Sequence, residues 1–143
     1  MNSISTTPSA PPAPTVVRGG SASSVHLARE AARAFTDRLT PAPDPATADT
    51  LVLVVSELVT NALRHGGGRY VLKLSAGPDA VTAAVTDPNP APPRERAPDL
   101  DGGNGGFGWH MVRRLTTHLT TTPGPGPGKT IHARVPRYGG APA

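Results

Sequence analysis

Three polar side chains in the segment 51–68 have types and a spacing suited to holding a ligand. Glu57, Asn61 and His65 stand four residues apart, so on a helix they share one face and lie one above another. Each alone is an ordinary surface residue, and a histidine near a helix C-terminus often only makes a favourable dipole contact. A carboxylate, a neutral amide and an imidazole in one row are harder to explain by packing. The row therefore predicts a binding site.

The element that must position this row is a long core helix. Its apolar residues recur at the spacing of a buried helical face, and they are Leu51, Val54, Val55, Leu58, Ala62 and Leu63. Asp44 before Pro45 fits a helix N-cap followed by the first helical position. The glycines at 66–68 supply the stop.

An earlier helix is predicted from Ser23 or Ser24 to about Leu39, where the proline-rich segment 41–45 ends it. Its buried face is expected to consist of Val25, Ala28, Ala32, Phe35 and Leu39. Residues 15–18 before it suggest a short edge strand.

Two short alternating runs follow the central helix, at 70–76 and 81–86, and the turn residues at 77–79 join them into a predicted hairpin. Asp87 ends the second run. The segment 88–98 is too rich in proline for regular structure, because proline lacks a donor and fixes φ.

The C-terminal part predicts one more helix and one more strand. The helix runs from Phe107 or Gly108 to about Leu119, with Met111, Val112 and Leu115 inward. The strand covers 129–135 and turns Ile131, Ala133 and Val135 to one side. This order predicts an α+β fold, a two-layer sandwich in which helices cover one face of a mainly antiparallel sheet.

Length and composition favour one domain with tails. The 143 residues suit a single modest core, but 18 prolines and 16 glycines cluster at the start and in two later loops, so the folded part is shorter than the chain. We expect disordered tails at 1–20 and 138–143 around one domain at 21–137. The absence of cysteine excludes disulfides, thiolate metal sites and cysteine nucleophiles.

Charge and hydropathy argue against nucleic acid and membrane partners. A net charge of +4 is mild, and with 3% aromatic residues there is little surface on which bases could stack. No segment approaches the roughly 18 consecutive apolar residues of a membrane span. The N-terminus lacks the layout of a signal peptide, so a cytoplasmic location is expected.

Two familiar nucleotide-binding motifs match the sequence letter by letter, but the elements around them are not those that the motifs require. Gly103, Gly105 and Gly108 satisfy G-x-G-x-x-G, but no hydrophobic strand precedes them. The segment 124–130 resembles the end of a P-loop, yet its prolines lack the N–H groups of a phosphate cradle and a strand follows it. We reject both as folds, while the first glycine cluster remains a candidate for phosphate binding in another setting.

Four segments in register carry a resemblance to a known superfamily. ELVTNALRHGGG (57–68) resembles the N box of the GHKL, or Bergerat-fold, ATP-binding superfamily. TDPNP (86–90) resembles its G1 box, GGNGGFGWHMV (102–112) its G2 box and GKTIHARV (128–135) its G3 segment. In chain length and in the residues of these motifs, the chain is most similar to the anti-sigma factor serine kinases and related regulatory ATP-binding proteins.

The resemblance implies a role for each polar residue of the row. It makes Asn61 the ligand of Mg²⁺ through its amide oxygen, as suits a hard cation. It makes Glu57 the general base toward a hydroxyl or water in phosphoryl transfer. It makes Asp87 the acceptor of the adenine amino group and gives His65 a supporting place at the nucleotide.

The remaining ATP contacts implied by the resemblance lie in the later boxes. The glycine segment would let backbone N–H groups approach the phosphates, through Gly103, Gly105, Gly106, Phe107 and Gly108. Thr130 would support the adenine from the last strand. Asn89 is also implied as an ATP contact. It stands between two prolines, two residues after Asp87, where the family usually has a glycine, and this departure stiffens the adenine side of the loop.

The function implied is an ATP- and Mg²⁺-dependent serine/threonine kinase that phosphorylates an anti-sigma antagonist and sequesters a sigma factor. The alternative is a binding module in which ATP orders a lid without turnover. A sensor histidine kinase is not expected, since no phospho-accepting helical domain precedes the ATPase part. The resemblance also suggests a homodimer that contacts through the first helix and residues 15–18.

Overall fold

The computed structural model describes residues 13–91 and 105–138. The described elements are, in chain order, β1 (Thr15–Gly19), α1 (Ser24–Asp37), α2 (Pro45–His65), β2 (Tyr70–Ala76), β3 (Ala80–Asp87), α3 (Gly105–Leu115), β4 (His118–Pro123) and β5 (Lys129–Pro136). The predicted edge strand is present as β1 and lies within the segment expected to be a tail. The rest of both predicted tails falls almost wholly outside the described residues.

The strands form one open sheet in the order β1-β2-β3-β5-β4, and every described pairing is antiparallel. The helices pack on one face of this sheet, and α3 packs against α2. The predicted two-layer α+β class is therefore confirmed. We call the face that is covered by helices the inner face and the other the outer face.

The core fills the space between α1, α2 and the inner face. On α2 the predicted apolar stripe is buried, apart from the partly buried Leu63. On α1 the predicted stripe is buried apart from the partly buried Val25, with Phe35 at 1% exposure as its largest side chain, and Leu39 is buried just beyond the helix end. Trp109 of α3 is 7% exposed, in agreement with packing inward. Asp44 and Pro45 occupy the predicted N-cap and N1 positions, although the Asp44 side chain makes no capping hydrogen bond.

One element was predicted wrongly. Helix α3 ends at Leu115 rather than near Leu119, and residues 118–123 form the edge strand β4, paired with β5. This segment, HLTTTP, is rich in β-branched threonine, which favours strands over helices. A tight turn then connects β4 to β5, closed by the Gly124 N–H donating to the Gly128 carbonyl, with Gly126 at φ 77°.

Helix α2 has a length and composition that would allow it to cross a membrane. Core helices of globular domains meet the same criteria. The buried stripe of α2 packs against the sheet and against α1, so the fold already accounts for its apolar character.

Candidate functional site

The predicted polar row lies along α2, and its first member, Glu57, lies against α3. Glu57 and Asn61 are partly buried, and His65 at the last helical position is exposed. At a rise of about 1.5 Å per residue, the nine steps from Glu57 to Gly66 span roughly 14 Å. Helix α2 thus connects two distinct regions, one at α3 and one at the end of β3 and the start of β5.

At the first region the carboxylate of Glu57 lies against the first turns of α3. A Cβ atom placed on Gly108 would overlap Glu57 Oε1, so only glycine permits this approach. Helix α3 begins at Gly105, and the N-terminal end of a helix carries partial positive charge. Within residues 13–91 and 105–138, neither Glu57 nor Asn61 makes a side-chain hydrogen bond. We call Glu57, Asn61 and Gly108 the open end.

Burial raises the pKa of Glu57, an effect that the nearby Arg64 partly offsets. Desolvation disfavours the charged carboxylate, so the proton is held more tightly than in water. A carboxylate with a raised pKa in a cleft is a candidate general base.

At the second region Asp87 forms a buried ion pair with Lys129. The two residues are direct partners in the β3–β5 register, and Lys129 Nζ donates to Asp87 Oδ1 at 3.0 Å. The Asp87 and Lys129 side chains are only 2% and 7% exposed. Sequence reasoning identified Asp87 and missed Lys129.

Asn89 connects this pair to the end of α2. Its backbone N–H donates to Asp87 Oδ1 at 2.9 Å, and its carbonyl accepts from Lys129 Nζ at 3.0 Å. Its side-chain amide donates to the His65 carbonyl at 2.7 Å. His65 thus contributes its main chain here. The two prolines around Asn89 and these bonds hold the loop rigidly.

Two glycines allow the strands and α2 to approach this closely. A Cβ atom on Gly66 would lie 2.5 Å from Asp87 Oδ2, and one on Gly128 would overlap the Asp87 carbonyl oxygen. We call Asp87, Lys129, Asn89 and Gly66 the base end, because they lie at the C-terminal base of α2.

Thr130 lies away from the base end, on the outer face. Its hydroxyl is 2.7 Å from that of Thr86, its partner in the β3–β5 register. Alternation along a strand places neighbours on opposite faces, so Lys129 rather than Thr130 reaches Asp87. The outer face also holds an open cavity of about 360 Å³ lined by Thr82, His118, Thr120, Thr122, His132 and Arg134. It contains none of the predicted site residues.

The predicted phosphate-binding glycines fall partly on α3. Gly105 and Gly106 open this helix, Phe107 follows and Gly108 is buried against Glu57. The helix begins two or three residues earlier than the predicted start at Phe107 or Gly108. Gly103 lies outside the described residues, and phosphate contacts by this segment stay a prediction.

Comparisons with known proteins agree with this architecture. No curated protein matches the chain. A solved structure of the RsbU and RsbW domains of Rv1364c from Mycobacterium tuberculosis is similar with a TM-score of 0.63 and 20% sequence identity. The match covers 88% of this chain and 33% of that chain, so this chain spans about a third of it. At this identity the likeness shows the fold.

A family model describes the chain more directly. The model of the histidine kinase-like ATPase domain matches residues 21–135, which includes every described element except β1 and the last residue of β5. The chain belongs to the histidine kinase-like ATPase domain family.

Proposed function

We propose that the chain binds Mg-ATP along the α2 row and acts as a regulatory serine/threonine protein kinase. The observation that carries this proposal is the contrast between two carboxylates along α2. Glu57 and Asn61 have no side-chain hydrogen bonds within the described parts of the chain, whereas the helix ends, at Gly66, against a buried carboxylate, Asp87. A nucleotide laid along α2 would have its base at the base end and its phosphates at the open end.

Asp87 is suited to accept a hydrogen bond from the adenine amino group. Both of its described hydrogen bonds reach Oδ1, from Lys129 and from the Asn89 N–H. Oδ2 remains as an acceptor beside Gly66. A carboxylate fixed in this way selects a donor at low entropic cost.

Asn61 would hold Mg²⁺ through its amide oxygen. A single amide oxygen is enough for this role, because Mg²⁺ commonly takes one or two protein ligands and completes its shell with water and phosphate oxygens. The ion, when bound, supplies positive charge to the phosphate oxygens. Glu57, one helical turn away, would accept the proton of the attacking hydroxyl.

The partners proposed are an anti-sigma antagonist as substrate and a sigma factor as the sequestered protein, in the cytoplasm. They rest on the resemblance of the four boxes to the anti-sigma factor kinases. A homodimer through α1 and β1 is supported by two exposed apolar side chains, Leu27 at 58% and Val16 at 49% exposure. Strand β1 also lies at one edge of the sheet that the described residues form, and an edge strand offers backbone groups to a partner.

The second candidate function is a binding module that responds to ATP without turnover. The stiff loop at Asn89 favours it, because a rigid base end can recognise a nucleotide without any catalytic movement. The two functions share the ATP site and differ in the role of Glu57.

Nucleotide binding is tested by calorimetric titration with ATP, with and without Mg²⁺. We expect Mg²⁺-dependent binding that Asn61→Ala weakens by at least tenfold, since the amide ligand is lost. Thr60→Ala is the matched control, because Thr60 is a neighbouring, partly buried polar residue off the row. Wild-type protein that fails to bind millimolar ATP would refute the proposal.

The catalytic role is tested with Glu57→Gln and [γ-³²P]ATP, with water as the acceptor. If the protein is a kinase, the wild type should release phosphate slowly from ATP. Glu57→Gln should release it at least a hundredfold more slowly, because general-base catalysis contributes about 10²–10⁴-fold. Both proteins should bind ATP. If wild type binds ATP and releases none, the binding module is the better description.

A further inference from the structure

We propose that Lys129 is a second base-recognition residue, which donates a hydrogen bond to the ring nitrogen N1 of adenine. This inference rests on the proposed function and adds a residue to it. Asp87 and Lys129 together would read the edge of the base, one as acceptor and one as donor.

The strand register places the ammonium where the base is expected. Asp87 and Lys129 end β3 and begin β5 as direct cross-strand partners on the inner face. Gly128, just before Lys129, has no side chain and packs closely against the Asp87 main chain. The Lys129 side chain therefore lies in the same buried region as the Asp87 carboxylate.

One N–H donor of the Lys129 ammonium has no acceptor among the described residues. A lysine ammonium has three N–H groups. Within residues 13–91 and 105–138 two are used, by Asp87 Oδ1 and the Asn89 carbonyl, each at 3.0 Å. The third has no acceptor in the described parts of the chain. A buried donor that lacks an acceptor is costly, and a ligand that supplies one gains from it.

Stability alone gives little reason for this pair. Buried ion pairs often contribute no more than apolar residues of the same volume, because both charges must leave water. An acceptor and a donor fixed side by side are, however, what the Watson–Crick edge of adenine complements. That edge presents the amino group as a donor beside N1 as an acceptor.

The decisive probe is 1-deaza-ATP, in which a C–H replaces N1 and the amino group remains. Wild type should bind ATP about tenfold more tightly than the analogue, as expected for one hydrogen bond from a charged donor. GTP is a poorer probe, because guanine reverses donor and acceptor and could satisfy the same pair after a small shift.

The matched variant is Lys129→Met, which keeps the length of the side chain and removes the donor. We expect it to bind ATP and 1-deaza-ATP with equal affinity. A purely structural lysine would weaken both ligands and preserve their ratio. Circular dichroism shows whether the variant is folded, and where it is not, the wild-type ratio decides.

The outcomes separate this inference from the function beneath it. Wild type that binds ATP and 1-deaza-ATP equally refutes the Lys129 contact and leaves ATP binding intact. A ratio of ten that persists in folded Lys129→Met also refutes it. Wild type that binds neither ligand refutes both proposals.

Discussion

The two ends of the α2 row differ in how firmly their carboxylates are held. At the base end, Asp87 is buried and receives hydrogen bonds from Lys129 and from the Asn89 backbone. At the open end, Glu57 is partly buried and makes no hydrogen bond to the described residues. Each carboxylate lies against a glycine, Gly66 just after the end of α2 in one case and Gly108 within α3 in the other.

This difference suits a division of labour along one ligand. Groups fixed before binding recognise with little loss of entropy, so a rigid base end favours selection of the base. A carboxylate with rotational freedom and a raised pKa can turn toward a hydroxyl and take its proton. The contrast itself can be tested by breaking each end in turn.

Breaking the base end should have the largest effect. Lys129→Met leaves Asp87 buried without its counter-ion, and we expect a loss of about 3–5 kcal/mol in the free energy of unfolding, measured with urea. Arg33→Met breaks the exposed pair between Arg33 and Asp49, whose side chains are 53% and 71% exposed. Solvent screens that pair, so its loss should cost at most about 1 kcal/mol.

A double variant controls for the lost packing of the lysine. Lys129→Met with Asp87→Asn removes both charges and should recover most of the stability. Equal losses for the Lys129 and Arg33 variants would contradict the view that the base end is held by a buried pair.

Much of this arrangement was predictable from periodicity. The α2 stripe, the α1 stripe, the β2–β3 hairpin and Asp87 at a strand end all follow from spacing and turn residues. Strand β4 was missed because a run of threonines next to a helix carries no alternation of apolar residues, and its pairing with β5 decides its state.

The position of Lys129 on the inner face could in principle have been predicted from the sequence. Ile131, Ala133 and Val135 were predicted to face one side, and the same alternation places Lys129 with them and Thr130 on the opposite face. A lysine is seldom assigned to a buried position without a known partner, and the partner Asp87 is 42 residues away in sequence. Only the β3–β5 register brings them together.

Gly66 and Gly108 allow a matched comparison in which the expected effect on stability is smaller. Gly66→Ala would place a methyl group 2.5 Å from Asp87 Oδ2 and 2.8 Å from the Ala62 carbonyl, and neither atom can move easily. We expect it to destabilise the fold by about 1–3 kcal/mol, as overpacking does. Gly108→Ala meets the end of the flexible Glu57 side chain, which can rotate away, and alanine favours helix.

Gly108→Ala should therefore change stability by less than about 1 kcal/mol while displacing the Glu57 carboxylate. Gly77→Ala, which meets no atom within 4 Å, is the control. Both thermal unfolding and phosphate release from ATP should be measured. A Gly108→Ala protein that is less stable than Gly66→Ala would show that the open end is as rigid as the base end.

The smallest effect should come from the protonation of Glu57. Since burial raises its pKa in the folded protein, the folded state binds more protons than the unfolded state at pH values above the ordinary pKa of glutamate, roughly 4.3. By linkage, this group's contribution to stability falls as the pH rises through the folded pKa, and it is fully favourable only below the unfolded value.

Glu57→Gln removes the titration of this carboxyl group. The difference in unfolding free energy, variant minus wild type, should therefore increase as the pH rises from about 4 and level off above the raised pKa of the folded state. Urea titrations of both proteins across this range measure it, and all other titrating groups cancel in the difference. A flat difference would mean that the Glu57 carboxylate is as well solvated in the folded state as in the unfolded chain, and would remove the reason to expect an elevated proton affinity at the open end.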